Sequence, residues 1–182
     1  MAEDDLRWET LDSQTAYSCP GFDVVTDDVR FPDGTEDEYD YLSEPPAVVI
    51  LPFTPDDEIV VIEEWRQAVD RINRGLPVGG VEPDDESLAA AARRELSEET
   101  GYEAESVSQM TTVEPANGIA DSVLHFFVAR DCRPTAAQDL DHNESIRTDT
   151  TSFEELRAAV AADDVRDGRT ALGVLYYELV ED

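Results

Sequence analysis

Glu95, Glu98 and Glu99 are the side chains whose type and spacing most directly suggest chemistry in this 182-residue sequence. The segment that holds them, from Gly80 to Tyr102, predicts a helix over about 85–100, with Gly101 as its C-terminal stop. At about 100° per residue, Leu88, Ala92 and Leu96 form one apolar stripe, the face expected to meet a sheet. Glu95 and Glu99 fall within about 20° of Leu88, Glu98 lies about 60° further round, and the opposite side holds Ala90 and Ser97. The acids are therefore turned toward the buried stripe. Carboxylates crowded in this way repel one another and lose hydration, so one must protonate unless cations lie between them. Hard oxygen donors from successive helical turns suit Mg²⁺, or Mn²⁺. Arg94 can pair with Glu98 but cannot neutralise all three acids. The residues alone also allow an exposed helix laced with i,i+4 charge pairs.

The elements that must position this helix can be read on either side of it. Residues 1–44 alternate short apolar stretches (22–25, 27–31, 38–41) with turn signals such as Pro32-Asp33-Gly34, the pattern of a small antiparallel meander. Pro45-Pro46 closes it, so a first region of 1–44 and a second of 45–182 are expected. Strands are expected over 47–53, 58–63 and 122–130, followed by two helices. The first of these opens on a Ser152-Phe153-Glu154-Glu155 capping box, and the second spans about 170–179. Strands mixed with a central helix and C-terminal helices predict an α/β (α+β) fold, a mixed sheet with helices on its faces.

Composition excludes several classes of function. Asp and Glu number 44 against 13 basic residues, every one of them Arg, for a formal net charge of -31. Such a surface repels phosphate backbones and anionic lipids, so neither nucleic acid nor membrane is an expected partner. With 41% hydrophobic residues the chain is expected to fold rather than remain disordered. Self-repulsion on this scale is screened in concentrated salt, which suggests a halophilic, salt-rich cytosol. Cys19 and Cys132 have no paired spacing and read as small buried hydrophobes. The N-terminus lacks a basic and apolar leader and no run has the length of a span, so a soluble cytoplasmic protein is expected.

The helix segment resembles the signature of the Nudix hydrolases: Gly80, five residues, Glu86, seven residues, then Arg94-Glu95-Leu96-Ser97-Glu98-Glu99-Thr100-Gly101-Tyr102. The resemblance implies the Nudix fold, with the signature as loop, helix and loop. It also implies Mg²⁺-dependent cleavage of a pyrophosphate that links a nucleoside to another group. Position by position, it implies Glu95 and Glu99 as metal ligands, Glu98 as a further ligand or a supporting carboxylate, and the Gly79 carbonyl as completing a site. Glu86 and Arg94 are implied to hold the loop and helix together.

Beyond the signature, Pro46 to Pro52, Glu63-Glu64-Trp65-Arg66 and Leu76-Pro77-Val78-Gly79-Gly80 resemble the ADP-ribose pyrophosphatase branch, which forms intertwined homodimers through an N-terminal strand region. Arg66 matches an arginine whose guanidinium can fork onto phosphate oxygens; pairing with Glu63 or Glu64 is its structural alternative. Glu144 occupies the place of a loop glutamate that binds metal or serves as the base, with His142 a weaker candidate. Trp65 reads as core and His125 as a structural histidine. The chain departs from the branch at Gly118, where a proline is usual, at Gly75-Leu76, where a glutamate is usual, and at Glu64, where a glutamine is usual. The expected reaction is ADP-ribose to AMP and ribose 5-phosphate. The alternatives are another substrate (nucleotide sugar, dinucleotide or NADH) and a nucleotide-sensing module without catalysis. An isomerase of isopentenyl diphosphate would require a cysteine near the signature, and neither cysteine lies there.

Overall fold

A computed structural model describes residues 6–180, which form two compact units. The first comprises the chain up to Pro46 together with Glu114–Val123. Its three strands, β1 (Glu9–Ser18), β2 (Asp23–Arg30) and β3 (Glu36–Ser43), form an antiparallel meander. Register places Glu9, Arg30 and Glu36 side by side, and the Arg30 guanidinium bridges both acids at 2.6 and 2.7 Å. The return segment joins β3 where the Leu42 amide donates to the Ile119 carbonyl and the Asp121 amide to that of Leu42. The short apolar stretches around Val25 and Val29 belong to one strand, β2, because Thr26 and Asp27 continue its pairing. No apolar period announces β1, since all ten of its residues are exposed.

The second unit comprises Ala47–Val113 and Leu124 onward. Its elements in order are β4 (Ala47–Pro52), β5 (Glu58–Arg66), β6 (Arg71–Gly75), β7 (Val78–Gly80), α1 (Leu88–Thr100), β8 (Tyr102–Glu103) and β9 (Ser106–Val113). Then follow β10 (Leu124–Arg130), β11 (Arg133–Pro134), β12 (Ile146–Ser152), α2 (Phe153–Ala161) and α3 (Gly168–Val180). One sheet runs β7-β4-β10-β9, with β4 and β10 parallel and the other pairs antiparallel; another runs β12-β5-β6. Strand alternation divides the core. Val48, Ile50, Phe127 and Ala129 face α1 through Ala91, Ala92 and Leu96, whereas Val49, Leu51, Phe126 and Val128 pack with Leu156 of α2 and Val174 of α3. Burial on both faces accounts for the continuous apolar run of β4. The expected mixed sheet between helices is the fold observed.

Several boundaries differ from the sequence reading. Helix α1 starts at Leu88 rather than Asp85, because Ser87 caps it by accepting from the Ala90 amide at 3.1 Å, while Asp85 remains in the loop to meet Arg94. At the other end Gly101 adopts φ 75°, the left-handed C-cap, and a Cβ there would lie 2.8 Å from the Ala136 carbonyl oxygen. Helix α3 starts two residues early because Asp167 accepts from the Thr170 amide at 3.1 Å. The capping box on α2 forms as expected. Trp65 is not core: it is 47% exposed and donates from Nε1 to Gln67. Of the cysteines Cys132 is buried, but Cys19 is only partly so, its thiol donating to the Phe22 carbonyl. Among the described residues no helix is long and apolar enough to cross a membrane.

Candidate active site

Strand β7 and helix α1 bring the first carboxylates together. Glu95 and Glu99 lie one turn apart on α1, 9% and 3% exposed, on the face that packs toward the sheets. Glu99 Oε2 accepts from the Val78 amide at 2.9 Å. Glu95 lies directly over Gly79: a Cβ on that glycine would fall 2.0 Å from the Glu95 carboxyl carbon, so the absence of a side chain there is what admits the carboxylate. Gly80, next along, would meet nothing within 4 Å. Glu98 is only partly buried.

Arg94 ties the loop to the helix. Its Nη1 donates to Glu95 at 2.8 Å and to Glu98 at 2.9 Å, its Nη2 to the Gly80 carbonyl at 2.8 Å, and both Nε and Nη2 to Asp85. The loop partner is thus Asp85 rather than the expected Glu86, which is exposed. The bond from Arg94 holds the Asp85 carboxyl below its usual range. Glu99 receives nothing from Arg94, as the count of charges on the helix anticipated.

Glu144 comes from the loop between β11 and β12. Its amide donates to the Asp141 carbonyl at 2.9 Å and its carboxylate accepts from the Asp141 amide at 3.0 Å, which fixes a tight turn. The loop is fastened to the end of α1 by the Ala136 amide on the Gly101 carbonyl, the Asp139 amide on the Glu98 carbonyl, and Gln138 Nε2 on the Glu99 carbonyl at 2.6 Å. His142 lies exposed beside Glu144, while His125 contacts Thr112 through Nδ1 at 3.0 Å, in keeping with a structural role. Arg66 approaches from β5, paired with Glu64 at 2.7 Å.

Burial and crowding put these acids under electrostatic stress. Loss of hydration pushes Glu95 up to about 7, and Glu98 and Glu144 add to it against the pull of Arg94. Burial pushes Glu99 up to about 9, helped by the charges of Glu95, Glu144 and Glu64 and opposed by the Val78 amide. Glu64 is also raised, chiefly by burial. A cluster whose members resist ionisation in each other's presence fits a divalent cation, and its donors are all hard oxygens. Among the described residues no three acidic, His or Cys side chains converge on one point as they stand. Arg94 donates to Glu95 and Glu98, and the Val78 amide to Glu99.

A family profile for the NUDIX domain matches residues 43–172. The chain belongs to the Nudix family. It is a Nudix pyrophosphohydrolase, and the ADP-ribose pyrophosphatase of Bacillus subtilis (strain 168) is 28% identical over 177 residues, covering 97% of this chain and 95% of that protein. The methanol dehydrogenase activator of Bacillus methanolicus is 26% identical over 174 residues, covering 95% and 94%. A crystal structure of an ADP compounds hydrolase superposes with a TM-score of 0.83 at 23% identity, covering 95% of this chain and 93% of that one. For this Nudix chain the geometry adds two residues that the sequence reading did not single out, Asp85 on Arg94 and Gln138 on the Glu99 carbonyl. Of the two acids weighed as partners of Arg66, the structure pairs it with Glu64.

Proposed function

We propose that the enzyme hydrolyses ADP-ribose to AMP and ribose 5-phosphate with Mg²⁺, or Mn²⁺ in its place, held by Glu95, Glu99 and the Gly79 carbonyl and supported by Glu98. The observation that carries this reading is the pair of buried carboxylates, Glu95 and Glu99, raised to about 7 and about 9 with Glu144 in their field. When bound, the cation would offset pyrophosphate charge and lower the pKa of water. Glu144 orients the attacking water and takes its proton. The water oxygen forms a bond to one phosphorus, the bridging P–O bond breaks, and its electron pair leaves on the other phosphate. Arg66 binds phosphate oxygens, and Arg94 with Asp85 keeps the loop and helix in register.

Similarity to the ADP-ribose pyrophosphatase of Bacillus subtilis supports a nucleoside diphosphate substrate. We further read the enzyme as a cytoplasmic homodimer adapted to salt. The exposed β1, with Leu11 and Tyr17 on it, and the exposed Trp65 and Ile72 on β5 and β6 are apolar surfaces that a second copy would cover. The charge of -31 supports the salt reading and the exclusion of nucleic acid.

The test is product identification from a panel of ADP-ribose, nucleotide sugars, dinucleotides and NADH at high KCl with Mg²⁺. Release of AMP and ribose 5-phosphate from ADP-ribose at the highest kcat/KM is expected. Preference for another member would reassign the substrate, and tight binding with no product would make the protein a sensor.

A further inference from the structure

Glu64 is a buried acid that the proposed reaction leaves without a role. It stands two residues before Arg66 on β5, so both side chains project from the same face of the strand. Glu64 is 8% exposed, whereas a third of the Arg66 side chain is open to solvent. Its Oε2 lies 2.7 Å from Arg66 Nη2, and Arg66 Nε is buried with no hydrogen-bond partner among the described residues. Register sets Ile146 of β12 opposite Glu64, which brings the loop that carries Glu144 to the same end of the sheet. The Glu64 charge reaches Glu99, and that of Glu144 reaches Glu64. The pair is therefore at the edge of the carboxylate cluster.

Burying a carboxylate is unfavourable unless it is paired, and burying one at a site already rich in carboxylates is more so. An arginine side chain, in turn, loses rotamer entropy when it docks on an anion. Fixing it beforehand removes part of that cost from binding. Resting on the pyrophosphatase reading, we propose that Glu64 is the positioning residue for Arg66: it anchors one guanidinium nitrogen from beneath so that the solvent-facing N–H groups are ready for the phosphate oxygens of the substrate. Glu64 then acts through Arg66 and not as a ligand to the cation.

The experiment is a double-mutant cycle on the Mg²⁺-loaded enzyme with ADP-ribose, using Glu64→Ala, Arg66→Ala and the double variant, with Mn²⁺ affinity measured in parallel by electron paramagnetic resonance. Glu64→Leu, similar in size but with no group to accept from Arg66, stands in should the alanine variant fail to fold. Each single variant should raise KM by roughly tenfold or more with a smaller change in kcat. The double variant should be no worse than Arg66→Ala alone, and Mn²⁺ affinity should stay within about twofold of wild type. A full additional loss from Glu64→Ala in the Arg66→Ala background would overturn the proposal. So would a fall in Mn²⁺ affinity of tenfold or more, on the order expected for a lost ligand or its support. If wild type does not hydrolyse ADP-ribose, the substrate reading fails on its own, and the same cycle is read by calorimetry with inorganic pyrophosphate. A loss of affinity in Glu64→Ala that vanishes in the Arg66→Ala background then supports the positioning role, and an undiminished loss overturns it.

Discussion

The carboxylate of Glu95 occupies the space that a side chain on residue 79 would need, with its carboxyl carbon 2.0 Å from where the Cβ of any residue but glycine would stand. Gly79→Ala should therefore displace Glu95, which Arg94 holds at 2.8 Å, and with it the proposed metal ligand. A shift of about 1 Å in a reacting site costs on the order of 100-fold in rate. Steady-state kinetics should show that loss in Gly79→Ala with an unchanged circular dichroism spectrum. Gly80→Ala, which meets nothing within 4 Å, should stay within about threefold of wild type. Equal effects of the two substitutions would count against this account of Gly79.

The link between loop and helix gives a second contrast. Asp85 is bonded to Arg94 at 2.9 Å while Glu86 is exposed. Removing one partner of a well-paired, partly buried charge costs about 1.5–3 kcal/mol, whereas an exposed glutamate contributes at most about 1 kcal/mol. Denaturant unfolding should find Asp85→Ala clearly destabilised and Glu86→Ala nearly neutral. The reverse order would restore Glu86 to the role that its place in the signature suggests.

Much of the fold was legible in the sequence because period and burial agree there. The apolar run of β4, the capping box at Ser152 and the stop at Gly101 each result from a local rule. The buried acids were legible because Glu95 and Glu99 break such a rule, charged residues standing where an apolar stripe should continue. What stayed hidden depends on partners distant in sequence. Nothing local to Gln138 indicates that it will reach the Glu99 carbonyl, and nothing local to Asp85 separates it from Glu86 as the partner of Arg94. Trp65 read as core because its type favours burial, and alternation does place it on the face of the buried Ile59 and Val61, but it stands at the far end of β5 beyond that core, opposite the exposed Ile72.

The raised carboxyls fix the sign of a pH effect on the metal-free protein. Glu95 at about 7 and Glu99 at about 9 keep their protons in the folded state over a range in which the unfolded chain has lost them. The folded state thus binds more protons, and stability falls as pH rises from about 4.5 through 7 and 9, by up to about 1.4 kcal/mol per unit for each group. Thermal unfolding in chelator should show Tm decreasing over that interval, and Glu99→Gln should be more stable than wild type at pH 8. A Tm that climbs over the same interval would contradict the assignment.

The charge of -31 gives a further expectation. Raising KCl from about 0.1 M to 1 M contracts the screening length from about 10 Å to about 3 Å and should relieve self-repulsion. Tm should climb steadily across that range. A flat profile would show that the acids are already balanced by local partners and would remove the argument for a salt-rich setting.

In the proposed reaction Glu99 serves through a divalent cation and not through the fold. AMP release from ADP-ribose by wild type and Glu99→Gln, each with Mg²⁺ and each in chelator, tests this. AMP should appear only from wild type with Mg²⁺, with Glu99→Gln folded and at least about 100-fold slower. Wild-type turnover in chelator, or Glu99→Gln turnover at the wild-type rate, would contradict it.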